Sequence, residues 1–143
     1  MKQDFLEGQE FQARLWSGKL YIRKGEEKRI RLDFEAELTE ALTKLLPDAL
    51  GMFVSAMGPT GVTSAKYGEE VEGRLVEIGA DSAPLTLEGV ALSRIKVERE
   101  TEGSPALLYF SADIPESEVG HWWQDHFGDT LTVRILNMQP KLV

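Results

Sequence analysis

The longest regular pattern of apolar residues in this chain runs from Leu38 to Met57. Apolar side chains recur there at steps of three and four residues, which is the spacing of one face of an α-helix. They are Leu38, Leu42, Leu45, Leu46, Ala49, Leu50, Phe53, Val54 and Met57. The pattern keeps its phase across Pro47, which either kinks one helix or begins a second one. We therefore expect a long amphipathic helix that covers a sheet, with Phe53 buried against it.

The N-terminal quarter alternates between apolar and polar residues, as strands with one buried face do. Ser17 and Gly18 are typical of a two-residue hairpin turn, and such a turn would pair Leu15 with Leu20. A second turn at 25–27 leads into a third alternating stretch. The sequence thus predicts a three-stranded antiparallel meander, with strands at 11–16, 19–24 and 29–34.

The second half of the chain is also mostly strand-like. Residues 58–70 are rich in Gly, Thr and Ser and lack a period, so they are predicted to form an exposed, flexible loop. Between 85 and 97 the alternation changes phase, and Gly89 is where a bulge would absorb the change in one long bent strand; two short strands are the alternative. Further strands are predicted at 72–78, 106–111 and 130–135.

A second, shorter helix is predicted between Pro115 and Gly128. Proline suits the first turn of a helix, and glycine often ends one. Its apolar face would comprise Val119, Trp122, Trp123, His126 and Phe127. Together with the long helix and the strands, this segment gives the predicted fold class: an α+β domain spanning 1–143, in which an antiparallel sheet packs on one long and one short helix.

The second helix carries the one arrangement that resembles catalytic chemistry. Ser117, His121 and Asp125 are spaced to line up on one helix face, but no oxyanion donors accompany them. A small hydrolase using this helix is therefore the least favoured function, and a solvated helix face explains the spacing better. His121 and His126 lie about 140° apart around a helix, so they do not form a metal-binding pair. We predict no catalytic residues, no metal and no cofactor.

Composition narrows the class of protein. The chain has 143 residues, no cysteine and a net charge of −8, which is the profile of a small acidic globular domain. We see no apolar stretch of membrane-spanning length and no export signal, so no membrane contact is expected and a cytoplasmic location is predicted. An acidic balance also opposes loose binding to nucleic acid.

The charge is unevenly distributed along the chain. Residues 1–33 hold 8 Lys and Arg against 6 Asp and Glu, a net of +2, which leaves −10 for the remainder. The predicted strands place cationic and aromatic side chains of this quarter on one outer sheet face. They are Arg14, Trp16, Lys19, Tyr21, Arg23, Arg29 and Arg31. Like charges opposed on a sheet are destabilising, so an anionic group should face them.

Three sources of negative charge remain open: the acidic remainder of the same chain, an acidic partner protein, and single-stranded nucleic acid held by aromatic stacking among cations. We favour a non-catalytic, small acidic binding or regulatory protein that acts by contact with another protein. A nucleic-acid-binding module that uses the basic and aromatic N-terminal hairpin is the alternative.

Overall fold

The computed structural model describes residues 5–22, 27–48, 50, 63–68, 71–79, 85–99, 105–120 and 122–137. Its strands are β1 (Glu10–Ile22), β2 (Lys28–Glu37), β3 (Thr63–Tyr67), β4 (Val71–Gly79), β5 (Leu85–Arg99), β6 (Leu107–Pro115) and β7 (Thr130–Asn137). Its helices are α1 (Glu40–Thr43), a 3-10 helix (Glu116–Glu118) and α2 (Trp122–Asp125).

Six of the strands form a closed antiparallel barrel. Their order is β5-β4-β7-β1-β2-β6, and β6 pairs again with β5 to close the sheet. Strand β3 pairs with the far half of β5, in line with β4. The predicted α+β class is therefore wrong. A closed sheet buries its inner face within itself and leaves few free edges, so it needs no long helix as cover.

Within the described residues, the predicted long helix is interrupted before Pro47. Helix α1 spans only Glu40–Thr43, and its N-terminus is capped by the Thr39 hydroxyl, which accepts a hydrogen bond from the Leu42 amide. Asp48 and Leu50 are again helical, so the structure favours the alternative in which Pro47 begins a second helix. The predicted apolar face is nevertheless buried at Leu42, Leu46 and Leu50. Residues 51–57, including Phe53, lie outside the described residues. Within the described part of the chain, no helix is long and apolar enough to cross a membrane.

Aromatic rings fill the barrel interior. Phe110 stacks on Phe34 at a centroid distance of 5.3 Å, and its ring meets Phe5 and Phe11 edge-on at 5.8 and 6.1 Å. Offset and edge-to-face contacts of this kind add to the stabilisation from burial. The segment before β1 closes this end of the barrel, where the Leu6 amide donates to the Leu45 carbonyl.

The predicted turn at Ser17 and Gly18 is also wrong. Strand β1 runs through both residues without turning and pairs with β2 along its length. Leu15 therefore pairs with Phe34 of β2 and not with Leu20. The connection from β1 to β2 lies between Ile22 and Lys28, mostly outside the described residues. The N-terminal region is therefore one long hairpin rather than a three-stranded meander.

Two predictions about the later strands have different outcomes. Of the two alternatives for residues 85–97, the structure has the single long strand, because β5 is continuous from Leu85 to Arg99, and Gly89 has a φ of 65° beside a slip in the β4 pairing. The predicted 58–70 loop is wrong at Thr63–Tyr67, which form strand β3. Residues 58–62, 69 and 70 lie outside the described residues.

Candidate functional site

The barrel brings most of the predicted binding residues onto one outer surface. Those that the structure describes lie on outward positions of β1 and β2, and are Arg14, Trp16, Lys19, Tyr21, Arg29 and Arg31. Arg23 lies outside the described residues. The predicted turn at 25–27 would set Tyr21 opposite Arg31, whereas in the structure Tyr21 is opposite Arg29 and Lys19 is opposite Arg31. We call this surface the basic hairpin face.

Each described arginine of the basic hairpin face is paired with a carboxylate of the same chain. Arg29 Nε lies 2.7 Å from Asp113 Oδ1 on β6. On β2 itself, Arg31 Nε lies 3.1 Å from Asp33 Oδ1. The third pair joins Arg14 to Glu35 at 3.8 Å. Carboxylates of the acidic remainder, Glu35 and Asp113, therefore pair with Arg14 and Arg29, as the first of the three explanations holds, while Arg31 is paired within the N-terminal quarter itself.

Asp113 is the most heavily used of these carboxylates. It accepts the Arg29 guanidinium at one oxygen and the Tyr21 hydroxyl at the other, and thereby joins side chains of β1, β2 and β6. The hydrogen bond to Asp113 raises the pKa of Arg29 above its ordinary value, against the opposing effect of partial burial. Arg29 therefore stays charged and paired with Asp113.

A bulge in β1 presents Trp16 to solvent beside the arginines. The pairing with β2 slips by one residue there, because Leu15 is opposite Phe34 while Ser17 is opposite Asp33. A bulge re-aims the side chain of the extra residue. The Trp16 ring is 42% exposed and meets Tyr109 edge-on, with 6.3 Å between the ring centroids.

Trp16 and Tyr109 border a groove of about 690 Å³ on the outer surface of the barrel. Its floor includes Asp33 and Ser111, which are both buried, and the Ser111 hydroxyl donates a hydrogen bond to Asp33. Burial of this carboxylate is compensated by that bond and by Arg31. We call the space bounded by Trp16, Tyr109 and the β3–β5 pair the Trp16 groove.

The far side of the Trp16 groove carries three cations. Lys96 lies opposite Tyr109 in the β5–β6 pairing, and its Nζ is 4.8 Å from the ring centroid and 3.3 Å from Glu98. Lys66 on β3 is exposed and lies opposite Lys96. The third is Arg94, exposed at a bulge of β5 with a φ of 53°. Such a left-handed backbone is unfavourable for a residue with a side chain, and strain of this kind often occurs at functional sites.

The second helix does not form as predicted. A 3-10 helix ends at Glu118, Gly120 takes a φ of 58°, and α2 begins only at Trp122. Ser117 and Asp125 therefore do not share one helix face, and His121 lies outside the described residues. Of the predicted apolar face, Val119 is buried, Trp122 and Trp123 pack against the core, and Phe127 is exposed.

Sequence reasoning missed the residues that the Trp16 groove takes from outside the N-terminal quarter. Tyr109 and Lys96 occupy outward positions of β6 and β5, which pair with each other and lie far from β1 in the sequence. Alternation along β6 and β5 was the available signal, but it does not reveal which strands meet. Lys66 was missed because its segment was interpreted as a loop.

The described residues offer no obvious metal site. No group of three or more His, Asp or Glu side chains among them is placed to hold an ion. No protein-family model matches this chain. Comparison with curated proteins and with solved structures likewise finds no significant match. The Trp16 groove and the basic hairpin face are the candidate binding surfaces of the described residues.

Proposed function

We propose that this chain is a non-catalytic binding protein that acts by contact with another protein, and that the Trp16 groove is where the partner binds. The observation that carries the proposal is the exposure of Trp16 beside a preformed groove. Tryptophan is enriched at the energetic centres of protein interfaces, because one ring buries a large area at a small cost in conformational entropy.

The remaining geometry fits a protein partner better than a nucleic acid strand. Asp33, Glu35 and Glu98 all line the groove, and a nucleic acid strand, which carries a phosphate at every nucleotide, would place negative charge along all of them, whereas a protein segment can confine its charge to the cations. The chain also carries a net charge of −8. A protein segment, by contrast, offers separate charged, polar and apolar groups that suit a mixed surface.

The arginines of the basic hairpin face have a supporting role in this proposal. Arg29 joins β2 to β6 through Asp113, and Arg31 pairs with Asp33 of its own strand, so both shape the surface beside the groove. Lys19 is exposed on the basic hairpin face. The cytoplasmic location expected from the sequence is part of the same proposal, and fractionation of the source cell checks it.

Site-specific photocrosslinking in the source cell tests the proposal. A photoreactive phenylalanine analogue is placed at position 16, and the matched control carries it at Phe127, which is 54% exposed. The expected result is one protein adduct that forms from position 16 and not from position 127. Absence of any adduct from position 16, or the same adducts from both positions, would contradict the proposal.

A further inference from the structure

We infer that Lys66 and Arg94 form an anion-binding subsite of the Trp16 groove, and that its occupant is an extended acidic peptide segment whose apolar side chain packs on Trp16. The inference rests on the proposed function and names the chemistry of the partner. It is carried by the groove charges that have no ion-pair partner among the residues that the structure describes.

The carboxylates of the groove are already occupied. Asp33 accepts from Arg31 and Ser111, and Glu35 is paired with Arg14. Glu98 is paired with Lys96, at 3.3 Å. Each of the three negative charges therefore has a positive partner at or beside the groove.

Two cations of the groove have no such partner within the described part of the chain. Among the described residues, neither Lys66 nor Arg94 forms an ion pair, and both are exposed where they line the groove. Lys66 is moreover directly opposite Lys96 on the neighbouring strand, and Glu98 beside Lys96 balances only one of these two positive charges, so repulsion between them remains. A ligand carboxylate at this position would relieve that repulsion.

The position of Arg94 adds a second, independent argument. It lies in a two-residue bulge opposite Phe110, and its φ of 53° is a conformation that glycine adopts at lower cost. An arginine at such a place offers a planar guanidinium that binds a carboxylate through two parallel hydrogen bonds. The backbone strain is thus accompanied by an exposed group suited to anion recognition.

The aromatic residues of the groove indicate the second group of the ligand, an apolar side chain. Trp16 is held edge-on by Tyr109, so its exposed face is available to an apolar or aromatic side chain. The ring and the two cations line the same groove, so one ligand that contacts both needs an apolar and an anionic group. An extended peptide carries alternating side chains that reach both borders.

Peptide titration tests the inference. The probe is a fluorescein-labelled Gly-Glu-Glu-Gly-Phe-Gly-Glu-Glu-Gly peptide, with the Gln-for-Glu peptide and a twelve-nucleotide oligo(dT) as comparisons. We expect the acidic peptide to shift the backbone amide signals of Trp16, Lys66 and Arg94, and the neutral peptide to shift them far less. No shift at these residues, equal shifts with the neutral peptide, or tighter binding of oligo(dT) would overturn the inference.

Two double variants test which cationic side chains contribute to peptide affinity. Lys66→Gln with Arg94→Asn should weaken acidic-peptide binding roughly tenfold, as expected for the loss of two charge contacts. The control, Lys28→Gln with Lys44→Gln, removes the same charge at exposed positions outside the groove lining and should leave binding unchanged. An equal loss in both pairs would mean that only net charge matters, which contradicts a defined subsite.

The same variants separate failure of this inference from failure of the proposed function. Crosslinking from position 16 is repeated in the Lys66→Gln, Arg94→Asn background. Loss of the adduct there supports the anion subsite. If the adduct forms with undiminished yield, the subsite is wrong while the groove remains a binding site, whereas a chain that forms no adduct in either background lacks the proposed function itself.

Discussion

The ring of Trp123 lies directly over the backbone of Gly18. A Cβ atom added at Gly18 would be 2.8 Å from Trp123 Cε3 and 2.9 Å from Cζ3, which is closer than real carbon contacts. Gly18 belongs to the middle of β1, where glycine is otherwise unfavourable. Its lack of a side chain is what allows α2 to pack against the strand.

Gly18→Ala should therefore destabilise the fold. The added methyl group forces the Trp123 ring or the strand to move, at a cost of about 1–3 kcal/mol in the free energy of unfolding. Urea denaturation measures it, with Gly68→Ala as control, because nothing lies within 4 Å of a Cβ at Gly68. Adding Trp123→Leu should recover part of the loss. Equal stability of the two alanine variants would contradict the packing.

This contact also explains why the hairpin prediction was wrong. Leu15 and Leu20 must face the same side although they are five residues apart, so something must change the phase of alternation between them. A two-residue turn does so, and the bulge at Trp16 does so too. Local alternation does not distinguish them, because the deciding contact of Gly18 comes from a helix more than a hundred residues later.

Features set by neighbouring residues were predictable from the sequence. Leu131, Val133 and Ile135 alternate into the core as expected, and Gly89 marks an irregularity in one long strand. Closure of the barrel was not predictable in this way, because it requires pairings between strands that are far apart in the chain, β1 with β7 and β2 with β6. The apolar face at 38–57 was misleading for the same reason: its leucines are buried by the barrel end rather than by a sheet face.

The candidate site was predictable to a similar extent. Alternation placed Arg14, Arg29 and Arg31 on one outer surface, and that placement is correct. Their carboxylate partners were not foreseeable, since Asp113 reaches Arg29 only through the β2–β6 pairing. The groove likewise requires strands that were either interpreted as loop or had no assigned neighbour.

Asp113→Ala should destabilise the fold, because Asp113 pairs with side chains of the basic hairpin face. The substitution leaves the Arg29 guanidinium and the Tyr21 hydroxyl without their shared acceptor, and should lower the free energy of unfolding by about 1–2 kcal/mol. Thermal denaturation measures the change, with the exposed Glu88→Ala as a control of equal charge. If both variants melt alike, these contacts contribute little to stability.

Phe110→Ala should be among the most damaging core substitutions. The ring contacts three other phenylalanines and is 1% exposed, so its removal leaves a large cavity at the centre of the barrel. Truncations of buried phenylalanine cost about 3–5 kcal/mol, a large part of a typical domain's stability. Denaturation by urea checks the value. A loss below about 1 kcal/mol would show that the barrel interior is not packed as described.

Arg94→Gly should stabilise the protein while weakening its binding. Glycine adopts a φ of 53° without the steric cost that arginine bears, and after the entropy of glycine is subtracted the gain is about 0.5–1 kcal/mol. The same change removes the guanidinium from the Trp16 groove, so acidic-peptide affinity should fall. Thermal denaturation and peptide titration on the same sample measure both effects.

Two further substitutions at position 94 separate backbone strain from charge. Arg94→Asn tolerates the left-handed backbone and removes the charge, so it should bind as weakly as Arg94→Gly without loss of stability. Arg94→Val removes the same charge but is β-branched, and should destabilise the bulge. If Arg94→Gly instead lowers the melting temperature, the arginine side chain contributes to stability through contacts that outweigh the strain. Backbone strain would then no longer support the assignment of Arg94 to anion binding.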